Sequence, residues 1–240
     1  MATTTAGRLL TDAHRRGQAR IAAQVAERTL ALWPLLDLAD LDATSVRWLA
    51  ATRPVVASAH SESASLSDAY YRQYRVSETG IPDDLDVVTY RPLPTNQVST
   101  SLLVTGPISI KSGSTLDTAA ARMAAAAGRL ALAGGRDRVG QMLETDPLVR
   151  RVRRITSPNC CAFCAMLATR DQLPPFAGSY FFEAHDGCMC QPEVSYSDSA
   201  GQTALAKRFA EIYAEATEGV PSAGNGKLNA FRRALESSRR

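Results

Sequence analysis

The sequence predicts a mainly α-helical protein that carries a small α+β zinc-binding module near its C-terminus. Three observations lead there. Apolar residues recur at helical spacing through the first third of the chain, an alanine-rich stretch follows at mid-chain, and all five cysteines fall between positions 160 and 190. The organisation expected from these features is an α-helical domain over 1–147 with a break near 80–96, a cysteine/histidine module over 148–198, and C-terminal helices over 199–240.

In the first helix, Ile21, Val25 and Leu32 share one face of a 3.6-residue period, and Ala22, Ala23, Gln24, Ala26, Glu27 and Arg28 supply good helix formers between them. Trp33-Pro34 ends it, because the residue before proline is driven out of the α region. Asp42 is an N-cap candidate for a second helix with Val46, Leu49, Val56 and Leu66 on its apolar face and Tyr70, Tyr71 and Tyr74 extending it toward Gly80. Pro54 should kink that helix or mark its true start.

Gly80, Pro82, Pro92 and Pro94 punctuate a short β-like run, Val87-Val88-Thr89-Tyr90. A third helix begins near Thr95, with Val98, Leu102 and Leu103 on one face, and reaches Gly106-Pro107. The alanine-rich helix runs from about Thr115 to Glu144; its small side chains suit close packing in a bundle or against neighbouring subunits. Gly134-Gly135 should weaken it and divide it in two.

After Pro147, Arg151–Thr156 has strand character, Cys161–Thr169 reads as a short helix, and Glu193–Tyr196 as a returning strand. Between them, Leu173–Phe176 and Tyr180–Phe182 read as aromatic turn and strand elements. Two terminal helices carry Leu205, Phe209, Ile212 and Tyr213, then Leu228, Phe231 and Leu235, with a flexible loop at Pro221–Gly226.

The cysteines carry the chemistry. Cys161 and Cys164 are spaced to chelate from a single turn, and His185-Asp186-Gly187-Cys188-Met189-Cys190 supplies a second cluster about twenty residues later. Two closely spaced ligand pairs joined by a longer loop form the pattern of a structural zinc site, with four ligands drawn from Cys161, Cys164, His185, Cys188 and Cys190. The fourth is either Cys188 or Cys190, and Cys160 is the bystander. Disulfides are the first competing reading, set against an odd cysteine count and a start, Met-Ala-Thr-Thr-Thr-Ala-Gly-Arg, without the apolar region of a signal peptide. Buried unligated thiols are the second, and a redox pair the third.

Composition sets wider bounds. The chain has 240 residues, 45% of them hydrophobic, and a net charge of +3, enough to build a core and too little to argue for nucleic acid by itself. No apolar run reaches transmembrane length. Positive charge is nevertheless clustered at Arg150, Arg151, Arg153 and Arg154, and again at Arg232, Arg233, Arg239 and Arg240. Solvated exposed faces are the ordinary reading of such runs; the sharper one is a patch facing an acidic partner or packaged DNA.

No catalytic constellation stands out. The three histidines are His14, on a polar helix face and read as solvated, His60, and His185. His60, among Ser58, Ser61 and Ser63, is a weak candidate for a protease centre. A zinc hydrolase would need an open metal position with Glu183 or Asp186 as base. There is no His-Glu-x2-His and no glycine-rich phosphate loop.

Cys161-Ala162-Phe163-Cys164-Ala165-Met166-Leu167-Ala168 with Arg170, then His185-Asp186-x-Cys188-x-Cys190 and Pro192, resembles the C-terminal signature of phage Mu F-like minor head proteins. Leu32–Asp37, Leu102–Pro107 and Asn229–Leu235 are similar to segments of the actinobacteriophage branch encoded beside the portal gene. The resemblance implies a virion structural protein inside the phage head, made in the host cytoplasm and contacting portal, scaffold or major capsid protein, with a part in head assembly or DNA packaging and ejection. Members of that branch are also labelled capsid maturation proteases, which implies a serine-type centre that this sequence does not display.

Overall fold

The fold begins with a capped helix. Thr4 accepts the Gly7 N–H and starts α1, Thr5–Ala31, which passes through a 3-10 turn at Trp33–Leu35. A second 3-10 turn, Leu38–Asp40, leads into α2, Leu41–Thr79, with Asp40 rather than Asp42 as the N-cap. Then come α3, Thr95–Thr105; α4, Pro107–Lys111; and α5, Leu116–Thr145, capped by Thr115. The module contains β1, Arg151–Ile155; α6, Ala162–Ala168; β2, Asp171–Gln172; and β3, Gln191–Ser195. Helices α7, Ala204–Thr217, and α8, Gly226–Ser237, follow.

This computed structural model describes residues 2–87, 89–172, 182, 184–198, 201–221 and 224–239, with the backbone alone at 171 and 172. The aromatic elements expected at Leu173–Phe176 and Tyr180–Phe181, the candidate base Glu183, Val88, and Ser222 and Ala223 of the expected loop lie outside the described residues. The protein is mainly helical, as its periodicity implies, with a small sheet beside the cysteines.

Helices α1, α2 and α5 pack together with α3 around Ile21, Val25, Trp48, Val56, Leu102, Met123 and Leu130. Val46, assigned to the apolar face, is 71% exposed, and Trp48 takes the buried position instead. Pro54 neither starts nor ends α2, which runs through it. Packing against both neighbouring helices outweighs the ~3 kcal/mol penalty of an interior proline.

The Gly134-Gly135 pair does not divide α5. A Cβ at Gly134 would collide with the His60 carbonyl oxygen, and one at Gly135 with the Ser67 hydroxyl. At this pair α5 lies close against α2, and the Gly135 N–H donates to Ser63 Oγ at 3.0 Å. The glycines serve approach between helices rather than a break within one.

Residues 81–87 and 89–94 form a strap with neither helix nor strand. Side chains of α2 and α5 take up its backbone carbonyls: Arg72 donates to Leu85 O and Asp86 O, Arg75 to Pro82 O, and Gln141 to Thr89 O. The β-like composition of Val87–Tyr90 finds no strand edge to pair with, so side-chain donors replace the ladder.

A second core joins the bundle to the sheet. Tyr70, Tyr71 and Tyr74 pack on Val139, Met142, Val152 and Val194. The sheet order is β2-β1-β3, with β1 central and antiparallel to both neighbours, and Val152 opposite Val194. A third core sets Ala162, Cys164, Ala165, Cys188 and Cys190 against Phe209, Phe231 and Leu235 of α7 and α8.

Candidate metal centre

The ligand-type side chains come from the two ends of a long excursion between β1 and β3. Cys161 is the N-cap of α6 and its sulfur accepts the Cys164 N–H at 3.4 Å, so the first pair sits on one turn. The second pair is also one turn: the Cys188 N–H donates to His185 O at 3.0 Å, with Gly187 at φ +75° in the left-handed conformation that glycine adopts without penalty.

The turns face each other. Cys161 Sγ lies 2.9 Å from His185 Nε2, Cys164 Sγ lies 3.6 Å from the same nitrogen, and Cys164 Sγ lies 3.5 Å from Cys188 Sγ. Ligand atoms of Cys161, Cys164 and His185 lie within 4.8 Å of one another, as do those of Cys164, Cys188 and Cys190. The cluster could therefore hold a metal ion, and all five candidate ligands line one pocket. Cys160 also borders this pocket, together with Ser157, Asn159 and Arg239. No disulfide joins any of the five cysteines.

Electrostatics explain why these sulfurs suit a cation. The Cys164 and Cys190 thiols, donating to Cys188, hold it far below the usual thiol range against the opposing effect of burial. The same contacts with Cys188 and Cys190, aided by burial, push Cys164 far up. Cys190 is pushed up to about 12: its contact with Cys164 works the other way, but Cys188 and burial prevail. One thiolate is tolerated here; further ionisation needs a positive charge among them. Burial resists ionisation of Cys161, but the Cys164 amide and His185 bring that thiol below its usual range.

The surrounding shell is ordered. His185 Nδ1 sits 2.8 Å from the Asp186 carbonyl, the contact that leaves Nε2 facing the sulfurs. Arg136, on α5 and buried, donates to Cys190 O at 3.1 Å and to Cys188 O at 2.6 Å, and Arg129 of the same helix pairs with Asp186 at 2.6 Å. Arg239 donates to Pro158 O and Cys160 O on the approach to Cys161. Sequence reasoning missed Arg136, whose one visible sign is its place directly after the glycine pair in a helix otherwise rich in alanine.

The arginines of β1 do not form one exposed patch. Arg150 is exposed, Arg151 and Arg154 are half-buried, and Arg153 is buried with its guanidinium donating to Gly201 O. Arg154 stacks on Phe182 at 3.8 Å and reaches Cys164 Sγ at 3.9 Å. Strand alternation sends neighbouring side chains to opposite faces, so a dense arginine run on a strand is split between them.

The other two histidines are both buried. His14, expected in solvent, is 3% exposed, stacked on Tyr70 and hydrogen-bonded to Ser67 at 2.9 Å. His60 is 1% exposed; its Nδ1 meets Tyr90 Oη at 2.6 Å, and its Nε2 is buried without a hydrogen-bond partner. Ser63 Oγ donates to Gln18 Oε1 and accepts the Gly135 N–H, so that serine is engaged away from the His60 ring. Burial lowers both histidines to about 4.

A protein-family model described as "VG15 protein" matches residues 6–216, spanning the helical bundle, the metal-ligand cluster and nearly all of α7. No curated protein and no solved structure matches the chain. None of the described helices is long and apolar enough to cross a membrane. On the extent of that match, the chain belongs to the VG15 protein family, a family of phage virion-associated proteins.

Proposed function

We propose that the protein is a structural minor head protein of the Mu F-like kind, working at the portal or capsid during head assembly and DNA packaging, with a zinc ion stapling its C-terminal module. Family membership supports the virion setting. The observation that carries the structural role is the donor set. Four cysteine sulfurs and one imidazole converge where a tetrahedral zinc takes four ligands.

A catalytic zinc keeps one position for water, whereas a surplus of soft protein donors closes the coordination sphere. In such a sphere neighbouring ligand atoms stand roughly 3.5–3.8 Å apart, from Zn–S of about 2.3 Å and Zn–N of about 2.0–2.1 Å. The Cys164 contacts at 3.6 and 3.5 Å match this, and the 2.9 Å contact from Cys161 to His185 would open slightly on binding. Zinc would supply the positive charge that several thiolates need. The chain's own part is to present the ligands on two tight turns, fix the imidazole through Asp186, and hold the second turn to α5 through Arg136.

In this reading the bundle presents surfaces to portal, scaffold or major capsid protein. Arg150, the exposed member of its cluster, remains for non-specific contact with DNA. The test is genetic and biochemical. Deleting the gene should leave heads that fail to assemble or fill, and tagged protein should capture the portal; normal, filled heads would overturn the reading. Co-expression with scaffold and capsid proteins separates it from a maturation protease, because cleavage abolished by His60→Ala would favour the enzyme.

A further inference from the structure

The cluster offers five donors for four positions, and the two halves of the second cluster are not equivalent. We infer that Cys161, Cys164, His185 and Cys188 are the metal ligands and that Cys190 is a thiol outside the coordination sphere, an inference that rests on the metal-binding reading above.

Turn geometry is the first ground. His185 and Cys188 have the same two-residue spacing as Cys161 and Cys164, and each pair is closed by its own hydrogen bond, Cys188 N–H to His185 O and Cys164 N–H to Cys161 Sγ. Gly187 at φ +75° gives the second turn its reversal. A tight turn brings its two ends to one point, and here those ends are an imidazole and a thiol. Cys190 lies beyond the turn, next to Gln191 at the start of β3, so the strand sets its position rather than the knuckle.

Connectivity is the second ground. Cys161, His185, Cys164 and Cys188 are linked in sequence by contacts of 2.9, 3.6 and 3.5 Å, of which the two made by Cys164 match a tetrahedron edge. Cys188 and Cys190 both lie within 4.8 Å of Cys164 and of each other, and the 3.5 Å contact with Cys164 is what sets Cys188 apart. The third ground is the support from α5. Arg136 binds the carbonyls of both Cys188 and Cys190, the shorter bond being to Cys188, which holds the end of the His185–Cys188 turn against the helix.

The experiment is cobalt(II) substitution in the full-length protein, reading thiolate-to-cobalt charge-transfer intensity and affinity by competition with a chelator. Wild type should show a tetrahedral spectrum with three thiolates. Cys190→Ser should keep that intensity, with affinity reduced no more than ~10-fold, the low end for an outer-shell change. Cys188→Ser should lose a thiolate's share of the intensity and fall more than ~100-fold, beyond the outer-shell range. Cys188→His should restore a tetrahedral spectrum with two thiolates. Helical circular dichroism, read in parallel, checks that each variant is folded. The reverse order of effects, or equal losses in both serine variants, overturns the assignment. A wild-type chain that takes up neither cobalt nor zinc overturns the metal reading itself.

Discussion

At the residue scale, the buried histidines make a pH response that does not involve the metal. His14 and His60 ionise at about 4 in the fold because burial disfavours the charged ring, against an ordinary value of 6.5. Between those values the unfolded chain binds more protons than the folded one. Stability is therefore complete above about pH 6.5 and falls with decreasing pH by roughly 1.4 kcal/mol per unit for each histidine. Urea midpoints at pH 7, 6 and 5 should drop accordingly. His14→Gln should flatten the slope relative to wild type, and because the comparison is made at each pH, the metal centre's own acid response cancels. Equal slopes would show that His14 is already protonated in the fold. The burial of His14 was not legible in the sequence, because Ala13-His14-Arg15-Arg16 reads as a polar face. Gln18, one turn along α1, and Ser67 of α2, with Tyr70 stacked on the ring, provide the polar pocket that makes burial affordable.

At the scale of elements, most helices were visible because their signals are local. Thr115 and Thr203 act as side-chain caps at helix starts, and Gly80 closes α2 in the left-handed conformation. The two turns that carry the candidate ligands were equally visible, because spacing along the chain sets them. What stayed hidden depends on tertiary approach. Gly134 and Gly135 look like a weak point in α5 until α2 is brought against them, and the β-like run at Val87–Tyr90 belongs to a segment whose carbonyls are claimed by side chains of α2 and α5. The glycine pair gives a sharp test. Gly134→Val places branched carbon against the His60 backbone and should destabilise the protein by about 1–3 kcal/mol, the usual cost of overpacking. On intrinsic helix propensity alone it should be neutral or stabilising. Thermal unfolding by circular dichroism decides between the two.

At the scale of the molecule, three cores run in series from the bundle through the sheet to the terminal helices. Both tryptophans, Trp33 and Trp48, meet edge to face at 5.9 Å in the first of them. Their emission reports on the bundle alone. Stripping metal with a chelator, or Cys164→Ser, should loosen the third core while tryptophan emission stays native. Exchange of amide hydrogens should then rise in α6 and α8 before it rises in α2 and α5. Simultaneous loss of both signals would mean that the protein unfolds as one cooperative unit, with the metal supporting all of it.

The antiparallel pairing of β1 with β3 has a kinetic side. Ile155 pairs with Gln191, so the chain between them is a closed excursion, and the candidate metal ligands sit near both of its ends. Strand pairing and the proposed metal ligation would thus close nearly the same loop, and the entropy of closure, which grows as about (3/2)RT ln n, would be met only once. Whichever forms first spares the other most of that search. Zinc present from the start should speed refolding of the sheet. Conversely, Val194→Pro, which puts a proline opposite Val152 in the ladder, should weaken zinc binding with every ligand still in place. Zinc affinity then becomes a readout of how firmly the two strands are zipped.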